Sequence, residues 1–395
     1  MNPLPIELVN PSGSRRVVVT KPLPGTHWRE VLTAADCRIE IAQGDRILSR
    51  EAILALVGTQ CDGVIGQLTE TWDAGMFARL RAAGVRAYCN YAVGYNNVDV
   101  AAATAVCIPV GNTPGVLTET TAEIAVALTF AASRRIVEAD RFMRGGQFTG
   151  WLPTLFLGQL FHGKTVGIIG AGRIGAAYAR MMVEGHKMNL VYYDVRPNAE
   201  LEAYVAAYGA FLAAHGEPQV TCRRLDSVEE LLCLADVVSL HTVLDADTRH
   251  LLNAARLGLM KPDAILVNTS RGPVVDEAAL VEHCRAHPEF RVGLDVFEDE
   301  PAVKPGLTEL ANVVMVPHIA SATKWTREGM ASLAACNVAA ILQGLPVNQD
   351  GEILAFLAGT PPPAAPSIVN AGELGLTKAR IQVSRVCSAH RDGSS

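Results

Sequence analysis

The chain has 395 residues, of which 49% are hydrophobic and 19% charged, and its formal net charge is −6. This length exceeds one ordinary hydrophobic core and predicts two domains, and the apolar content excludes a disordered chain. The acidic balance argues against nucleic acid as a partner, and no apolar run reaches the length of a membrane span. The nine cysteines are scattered without a CxxC pair, so we expect free thiols and no metal site.

The first third of the chain alternates short apolar runs with helical stretches. Residues 17–20, 63–66 and 87–89 predict strands, and the spacing of apolar residues over 72–83 and 98–105 predicts helices. Alternation of this kind predicts a parallel sheet that is covered by helices.

A second strand–helix series begins after a long apolar stretch. Residues 118–143 predict one long, buried helix, and the capping box Ser227-Val-Glu-Glu230 predicts a helix that continues to Leu234. A further helix is predicted over 326–345. Continuous apolar runs predict strands of a sheet buried on both faces, at 165–169, 190–193, 237–240, 264–268, 291–295 and 313–316.

A dinucleotide fingerprint follows the first of these strands, as Gly170-x-Gly172-x-x-Gly175. The first glycine permits a tight turn, the second lets a pyrophosphate approach the backbone, and the third lets the next helix pack close to the strand. Arg173 and Ile174 fill the positions between the glycines and belong to the predicted cofactor site. The pattern predicts a nucleotide at the N-terminus of that helix.

Asp194 lies nineteen residues past Gly175, at the end of a second apolar run. An acid at this distance accepts hydrogen bonds from the adenine-side ribose of NAD. Arg196 follows two residues later and tolerates a 2′-phosphate. We therefore expect NADH to be preferred and NADPH to be used more weakly.

Three polar residues with complementary chemistry follow late strands of the predicted sheet: Arg271, Glu300 and His318. In open α/β sheets, ligands bind at the edge where the strands end. Arginine recognises a carboxylate through two parallel hydrogen bonds, histidine donates protons near neutral pH, and a neighbouring carboxylate favours the protonated imidazole. Together with the fingerprint, the three residues predict an active site rather than three separate structural roles.

Several segments carry a resemblance to a known family. The chain resembles the D-isomer-specific 2-hydroxyacid dehydrogenases at 167–175, 235–241, 266–272, 293–297 with Glu300-Pro301, and 317–320. Within that family, it is most similar to the plant and algal NADH-dependent hydroxypyruvate reductases (glycerate dehydrogenases). That second similarity lies at 91–99, 181–185, 324–330 and 367–370, and in a long insertion over 196–224.

The resemblance implies a role for each residue of the active site. It implies that His318 is the general acid and base, that Glu300 is its partner, and that Arg271 anchors the carboxylate and carbonyl of the substrate. It further implies that backbone N–H groups of the loop at Val93 and Gly94 bind the substrate carboxylate.

The remaining roles implied by the resemblance concern the substrate side chain and the cofactor. Trp325 would shape the pocket around a hydroxymethyl group. Asp295 matches a position near the nicotinamide amide, whereas His241, Thr269 and Ser270 match positions that line the cofactor groove.

The function implied by the resemblance is the NADH-dependent reduction of hydroxypyruvate to D-glycerate, as in photorespiration, with glyoxylate as a secondary substrate. The family also implies a homodimer and a small 2-keto acid as the substrate. Two alternatives stay open at this point. One is a glyoxylate reductase or another D-2-hydroxyacid dehydrogenase. The other is an NAD-sensing scaffold like a corepressor, which the lack of a basic arm disfavours.

The predicted fold class is α/β, with two doubly wound parallel-sheet domains and a central Rossmann domain inserted into a flavodoxin-like substrate domain. Residues 1–117 and 327–376 would form the substrate-binding, catalytic domain and 118–326 the NAD-binding domain, with a flexible tail over 377–395. Plant relatives usually end in a peroxisomal tripeptide, which this chain lacks. We therefore expect a mitochondrial or cytosolic location, and no peroxisomal import through a C-terminal tripeptide.

Overall fold

The computed structural model describes residues 4–349, 353–357 and 362–379. The chain divides into two compact units, the first from Met1–Leu117 with Thr323–Ser395 and the second from Thr118–Ala322. The second boundary lies four residues before the expected one, because the helix that begins at Lys324 packs within the first unit from its first turn onward.

The first unit begins with a series of strands and helices that form its sheet. These elements are β1 (Ile6–Val9), β2 (Arg15–Val19), α1 (His27–Ala34), β3 (Cys37–Ala42), α2 (Arg50–Val57), β4 (Gly63–Gly66), α3 (Ala74–Ala82), β5 (Ala87–Asn90), α4 (Val100–Ala105) and β6 (Val110–Gly111). The strand order is β1-β3-β2-β4-β5-β6, and only β1 is antiparallel to its neighbour. The five parallel strands have the flavodoxin-like order 2-1-3-4-5, as the sequence predicts.

The second unit carries the longer, wholly parallel sheet. Its elements are α5 (Thr118–Ser133), α6 (Ile136–Arg144), β7 (Thr165–Ile169), α7 (Arg173–His186), β8 (Asn189–Tyr193), α8 (Ala199–Ala214), β9 (Cys222–Arg224), α9 (Val228–Leu234), β10 (Val237–Leu240), α10 (Ala254–Leu257), β11 (Ile265–Asn268), α11 (Glu277–Ala286), β12 (Arg291–Leu294) and β13 (Val313–Met315). The strand order β13-β12-β11-β10-β7-β8-β9 reverses between β7 and β10. Ligands of doubly wound sheets bind at such a switch point.

Two hydrophobic clusters cover the two faces of this second sheet. Helices α5, α7 and α8 supply one cluster, and α9, α10 and α11 supply the other. Burial on both faces explains why these strands read as continuous apolar runs in the sequence. The predicted α/β class, with a Rossmann domain inserted into a second sheet domain, is confirmed.

The single helix predicted over 118–143 is wrong, because the chain forms α5 and α6 with a break between them. Arg135 adopts a left-handed φ of 53° at the break, a conformation that no α-helix continues through. Its guanidinium pairs with Glu138 at 2.7 Å, and Glu138 also pairs with Arg291 of β12 at 3.0 Å. These ion pairs fix the start of α6 against the sheet.

The chain returns to the first unit through α12 (Lys324–Leu342), β14 (Val347–Asn348) and β15 (Lys378–Ala379). Strand β15, which pairs in parallel with β14, lies at the start of the flexible tail predicted from residue 377. The rest of that predicted tail, 380–395, lies outside the described residues. Across the described part of the chain, no helix is long and apolar enough to span a membrane.

Candidate active site

The glycine turn after β7 admits no larger residue at two of its three glycines. Gly170 has a φ of +95°, and a Cβ there would lie 2.8 Å from the carbonyl carbon and oxygen of His241. A Cβ on Gly175 would lie 2.0 Å from the carbonyl oxygen of Gly170. The turn therefore brings α7 closer to the sheet than any side chain permits.

The N-terminus of α7 is built to accept an anion. Gly172 is the N-cap residue, supplies no capping side chain, and would have open space around a Cβ. The backbone N–H groups of Arg173, Ile174 and Gly175 donate to no residue in the described part of the chain. Such N–H groups, together with the positive end of the helix dipole, suit a pyrophosphate.

Asp194 closes the turn at the end of β8. Its Oδ2 accepts a hydrogen bond from the Ala171 N–H at 2.8 Å, and its Oδ1 accepts one from the Arg196 N–H at 3.0 Å. Arg224 of β9 donates from Nη2 to the Asp194 carbonyl oxygen at 2.9 Å. Arg224 could not be predicted from the sequence, because only the pairing of β9 with β8 brings the insertion beside Asp194.

His318 and Glu300 form a hydrogen-bonded pair. Nδ1 of His318 lies 2.9 Å from Oε2 of Glu300, and Oε1 of Glu300 accepts the Phe297 N–H at 2.9 Å. Burial opposes ionisation of Glu300, but the bond from His318, the charge of that imidazole and the Phe297 N–H outweigh it and lower the pKa of this carboxyl. Glu300 is therefore a fixed carboxylate that occupies Nδ1 of His318. Nε2 is the ring nitrogen that does not face this carboxylate.

Asp295 holds the turn on which His318 lies. Its backbone oxygen accepts the His318 N–H at 2.9 Å, and its carboxylate accepts the N–H groups of Ile319 and Ala320 at 2.6 and 3.0 Å. His318 takes a left-handed φ of 53° within this turn. Burial raises the pKa of Asp295, which is fully enclosed. The structure thus places Asp295 beneath the His318 turn; its predicted contact with the nicotinamide amide stays a prediction.

Arg271 is half-buried at the end of β11. Its Nη1 donates to the Ser270 carbonyl oxygen at 2.6 Å, and its own carbonyl oxygen accepts from Nδ2 of Asn268 at 2.9 Å. Burial lowers the pKa of this guanidinium, and the negative charge of Glu300 opposes that change. Arg271, Glu300 and His318 therefore share one edge of one sheet.

A close backbone contact and two hydrogen bonds hold the loop that carries Glu300 in place. A Cβ on Gly272 would lie 1.9 Å from the carbonyl group of Phe297, so Gly272 lets the Arg271 and Glu300 segments touch through their backbones. The buried carboxylate of Glu277 accepts the N–H groups of Glu298 and Lys304 at 2.8 and 2.6 Å. Sequence reasoning missed Glu277, which nothing in its local pattern distinguishes from a first-turn helix acid.

His241, Thr269 and Ser270 lie at the ends of neighbouring strands β10 and β11. Burial lowers the pKa of His241 to about 3, so its ring is neutral, and its Nε2 lies 2.9 Å from Oγ of Ser239. The hydroxyl of Ser270 donates to Oδ1 of Asn268 at 2.8 Å. By contrast, the buried hydroxyl of Thr269 has no partner in the described structure. An orphaned hydroxyl on this edge fits a polar ligand such as a nicotinamide dinucleotide.

The other predicted substrate residues lie in the first unit. Val93 and Gly94 belong to the loop after β5, and both are partly exposed. Trp325 is the second residue of α12, with an exposed fraction of 58%. Within the described residues, no group of three or more His, Cys, Asp and Glu side chains could hold a metal ion.

Comparison with known proteins gives consistent matches. The family model described as "D-isomer specific 2-hydroxyacid dehydrogenase, NAD binding domain" matches residues 126–320. Glycerate dehydrogenase of Cucumis sativus is 61% identical over 377 residues, covering 94% of this chain and 99% of the relative. Glycerate dehydrogenase HPR, peroxisomal, of Arabidopsis thaliana is 59% identical over 383 residues, covering 96% and 99%.

A solved structure agrees with these matches. The TT0316 protein of Thermus thermophilus superposes with a TM-score of 0.74 at 38% identity, covering 90% of this chain and 99% of that one. The chain belongs to the D-isomer specific 2-hydroxyacid dehydrogenase family. It is an oxidoreductase with an NAD-binding domain in its second unit, and it acts on a small-molecule substrate.

Proposed function

We propose that the protein reduces hydroxypyruvate to D-glycerate with NADH, and glyoxylate more slowly. The observation that carries the proposal is the His318–Glu300 pair at 2.9 Å, with Arg271 on the same sheet edge as the dinucleotide turn. The resemblance over almost the whole length to proteins named glycerate dehydrogenase supports the choice of substrate.

The proton in the proposed reaction comes from His318. When bound, NADH supplies the hydride that reduces C2 of the keto acid. His318 gives a proton from Nε2 to the oxygen that becomes the hydroxyl, because its Nδ1 faces Glu300. Glu300 stays ionised, fixes the orientation of the ring, and offsets the positive charge of the protonated imidazole. One proton and one hydride convert the carbonyl into an alcohol.

Arg271 and the loop at Val93 and Gly94 bind the substrate in this proposal. The guanidinium pairs with the substrate carboxylate and polarises the carbonyl oxygen, on which negative charge develops. The N–H groups of Val93 and Gly94 add donors to the same carboxylate. Trp325 shapes the space for the hydroxymethyl group and thereby favours hydroxypyruvate over glyoxylate.

The cofactor in this proposal binds through backbone and side-chain donors already described. The free N–H groups at the start of α7 take the pyrophosphate, and Asp194 takes the ribose hydroxyls. Thr269, whose buried hydroxyl lacks a partner, and the neutral His241 line the groove.

A direct assay tests the function. Oxidation of NADH and of NADPH is followed with hydroxypyruvate and with glyoxylate under the same conditions. We expect the highest kcat/KM with NADH and hydroxypyruvate. A higher kcat/KM with glyoxylate would favour a glyoxylate reductase instead, and no oxidation with either acid would favour the NAD-sensing scaffold.

We also propose a homodimer that forms through residues 136–160. This segment exposes several large apolar side chains. Exposed apolar patches of this kind are typical of surfaces that bind a partner. Their exposed fractions are 51% for Phe148, 81% for Trp151, 56% for Leu152, 64% for Leu157 and 76% for Leu160.

Sedimentation of the wild type and of charged variants tests the dimer. Trp151→Glu and Leu160→Glu should give monomers. Phe211→Glu, on α8 and 55% exposed, is the matched control and should sediment as the wild type does. A monomeric wild-type protein would contradict the proposal.

A further inference from the structure

The loop after β5 has three successive carbonyl groups that all accept hydrogen bonds from the body of the first unit. The carbonyl oxygen of Ala92 accepts the Thr113 N–H at 2.9 Å. The oxygen of Val93 accepts from Nδ2 of Asn112 at 2.9 Å, and that of Gly94 accepts from Nδ2 of Asn90 at 3.0 Å. The acceptor side of the loop is thereby fixed towards the protein.

The donor side of the same loop faces away from these bonds. The backbone N–H groups of Val93, Gly94 and Tyr95 donate to no residue that the structure describes. Val93 and Gly94 are partly exposed, and Tyr95 is exposed. A run of neighbouring N–H groups without acceptors forms a concave site that suits an anion.

Asn90 links this loop to the turn after β4. It is fully buried, and its Nδ2 also lies 3.0 Å from Oδ1 of Asn97. Asn97 in turn donates to the carbonyl oxygens of Gln67 and Glu70 at 3.1 and 2.9 Å. Through Asn97, Asn90 is therefore connected to the backbone that leaves the neighbouring strand β4.

Asn112 links the loop to the C-terminal return of the chain. Its Oδ1 accepts from the Ser367 hydroxyl at 2.6 Å, and its carbonyl oxygen accepts from Nδ2 of Asn337 at 2.9 Å. The bond from Ser367 holds Oδ1 on one side of the amide, so the NH₂ group faces the Val93 carbonyl oxygen, which can only accept. The orientation of the loop thus depends on residues far apart in the sequence.

We infer that Asn90 and Asn112 are positioning residues that hold the Val93, Gly94 and Tyr95 N–H groups as a three-donor cradle for the substrate carboxylate. The inference rests on the proposed function and deepens it, by adding Tyr95 as a donor and naming the side chains that aim the cradle. Neither asparagine touches the substrate. Each acts through a loop carbonyl, so that loss of its amide turns a donor away from the anion.

Kinetics of Asn112→Ala, with a matched control, test the inference. We expect about a tenfold rise in the KM for hydroxypyruvate and in the inhibition constant of oxalate, equivalent to about 1.4 kcal/mol of binding. The kcat and the KM for NADH should change less than threefold. The control is Asn370→Ala, since Asn370 is another buried asparagine of the first unit and bonds Val110 and Ile108 instead of the loop.

A merely structural role would lower the thermal midpoint of both variants and leave both constants unchanged, which would overturn the inference. An equal rise in both variants would also overturn it. If Asn112→Ala does not fold, Asn112→Ser and Asn90→Ser replace it, with the same expected rise in both constants. If the wild type does not oxidise NADH with hydroxypyruvate, the proposed function fails. The cradle is then tested separately, by whether oxalate raises the thermal midpoint of the wild type more than that of Asn112→Ala.

Discussion

Nδ1 of His318 lies 2.9 Å from Oε2 of Glu300, and the other oxygen of that carboxylate accepts the N–H of Phe297. The carboxylate is thus fixed from two sides, and the imidazole can turn only its Nε2 towards a substrate. This arrangement separates two roles that are easily confused. His318 moves the proton, whereas Glu300 sets the ring orientation and carries the opposing charge.

Replacing Glu300 by Gln should lower kcat by about 10²-fold and leave the KM for NADH unchanged, because the amide keeps the volume but loses the charge. His318→Ala should lower kcat further. Since the pKa of Glu300 is lowered, the carboxylate stays ionised down to acidic pH. The charge of Glu300 is therefore present throughout the neutral range. Because Glu300→Gln removes this charge, kcat of the variant should depend on pH differently from kcat of the wild type. Unchanged pH profiles of kcat would contradict the assigned roles.

Replacing Arg271 by Lys should raise the KM for hydroxypyruvate at least tenfold, although the positive charge is kept. A lysine offers a point charge, whereas the guanidinium offers two parallel donors to a carboxylate. Arg271→Ala should raise the KM further and also lower kcat, because charge on the carbonyl oxygen is no longer stabilised. Steady-state kinetics with saturating NADH measure both effects. An unchanged KM in Arg271→Lys would show that the carboxylate binds elsewhere.

Replacing Asp194 by Ser should weaken the binding of NADH and favour the use of NADPH. The substitution removes the acceptor for the ribose hydroxyls and the negative charge that opposes a 2′-phosphate. Arg196 and Arg224 then remain next to the turn as cations. The ratio of kcat/KM for the two cofactors measures the change, and we expect it to shift by at least tenfold. Arg224→Ala combined with Asp194→Ser should reverse part of the gain for NADPH.

Except for β9, the strands of the second unit could be predicted from the sequence, because a parallel sheet buried on both faces requires continuous apolar runs. Strand β3 could not be predicted, because the charged Glu40 interrupts its apolar pattern. Glu40 is buried there because Arg16 of the neighbouring strand pairs with it at 2.5 Å. Helix α8 and strand β9 of the long insertion were not predicted either, and neither was the break at Arg135, where Glu138 pairs with both Arg135 and Arg291.

The candidate site also contains residues that could be predicted from the sequence and residues that could not. Arg271, Glu300 and His318 could be predicted because each follows a strand that itself was recognisable. The residues that position the site could not be predicted, since their roles arise only from tertiary contacts. Glu277 clamps the Glu300 loop across 21 and 27 residues of sequence, and Asn112 reaches Val93 across 19. Local pattern carries no signal for such long-range hydrogen bonds.

Glu70 provides a prediction about stability that is independent of catalysis. Its side chain is almost fully buried, with an exposed fraction of 3%, and burial raises its pKa from the usual 4.5 to about 7. Oε2 accepts the Gln67 N–H at 2.8 Å, whereas Oε1 has no hydrogen-bond partner among the described residues. The folded protein therefore holds a proton that the unfolded chain releases between these two pH values.

The sign of the effect follows from that difference. Stability falls as pH rises from about 4.5 to 7, by at most about 3 kcal/mol. Glu70→Gln removes this dependence, so the variant should be more stable than the wild type at pH 8, with the advantage shrinking towards pH 5. Urea unfolding at both pH values measures the difference. Glu373→Gln, at an exposed carboxyl, is the control and should follow the wild type. Parallel profiles for Glu70→Gln and the wild type would mean that burial does not raise the pKa of Glu70 above its value in the unfolded chain.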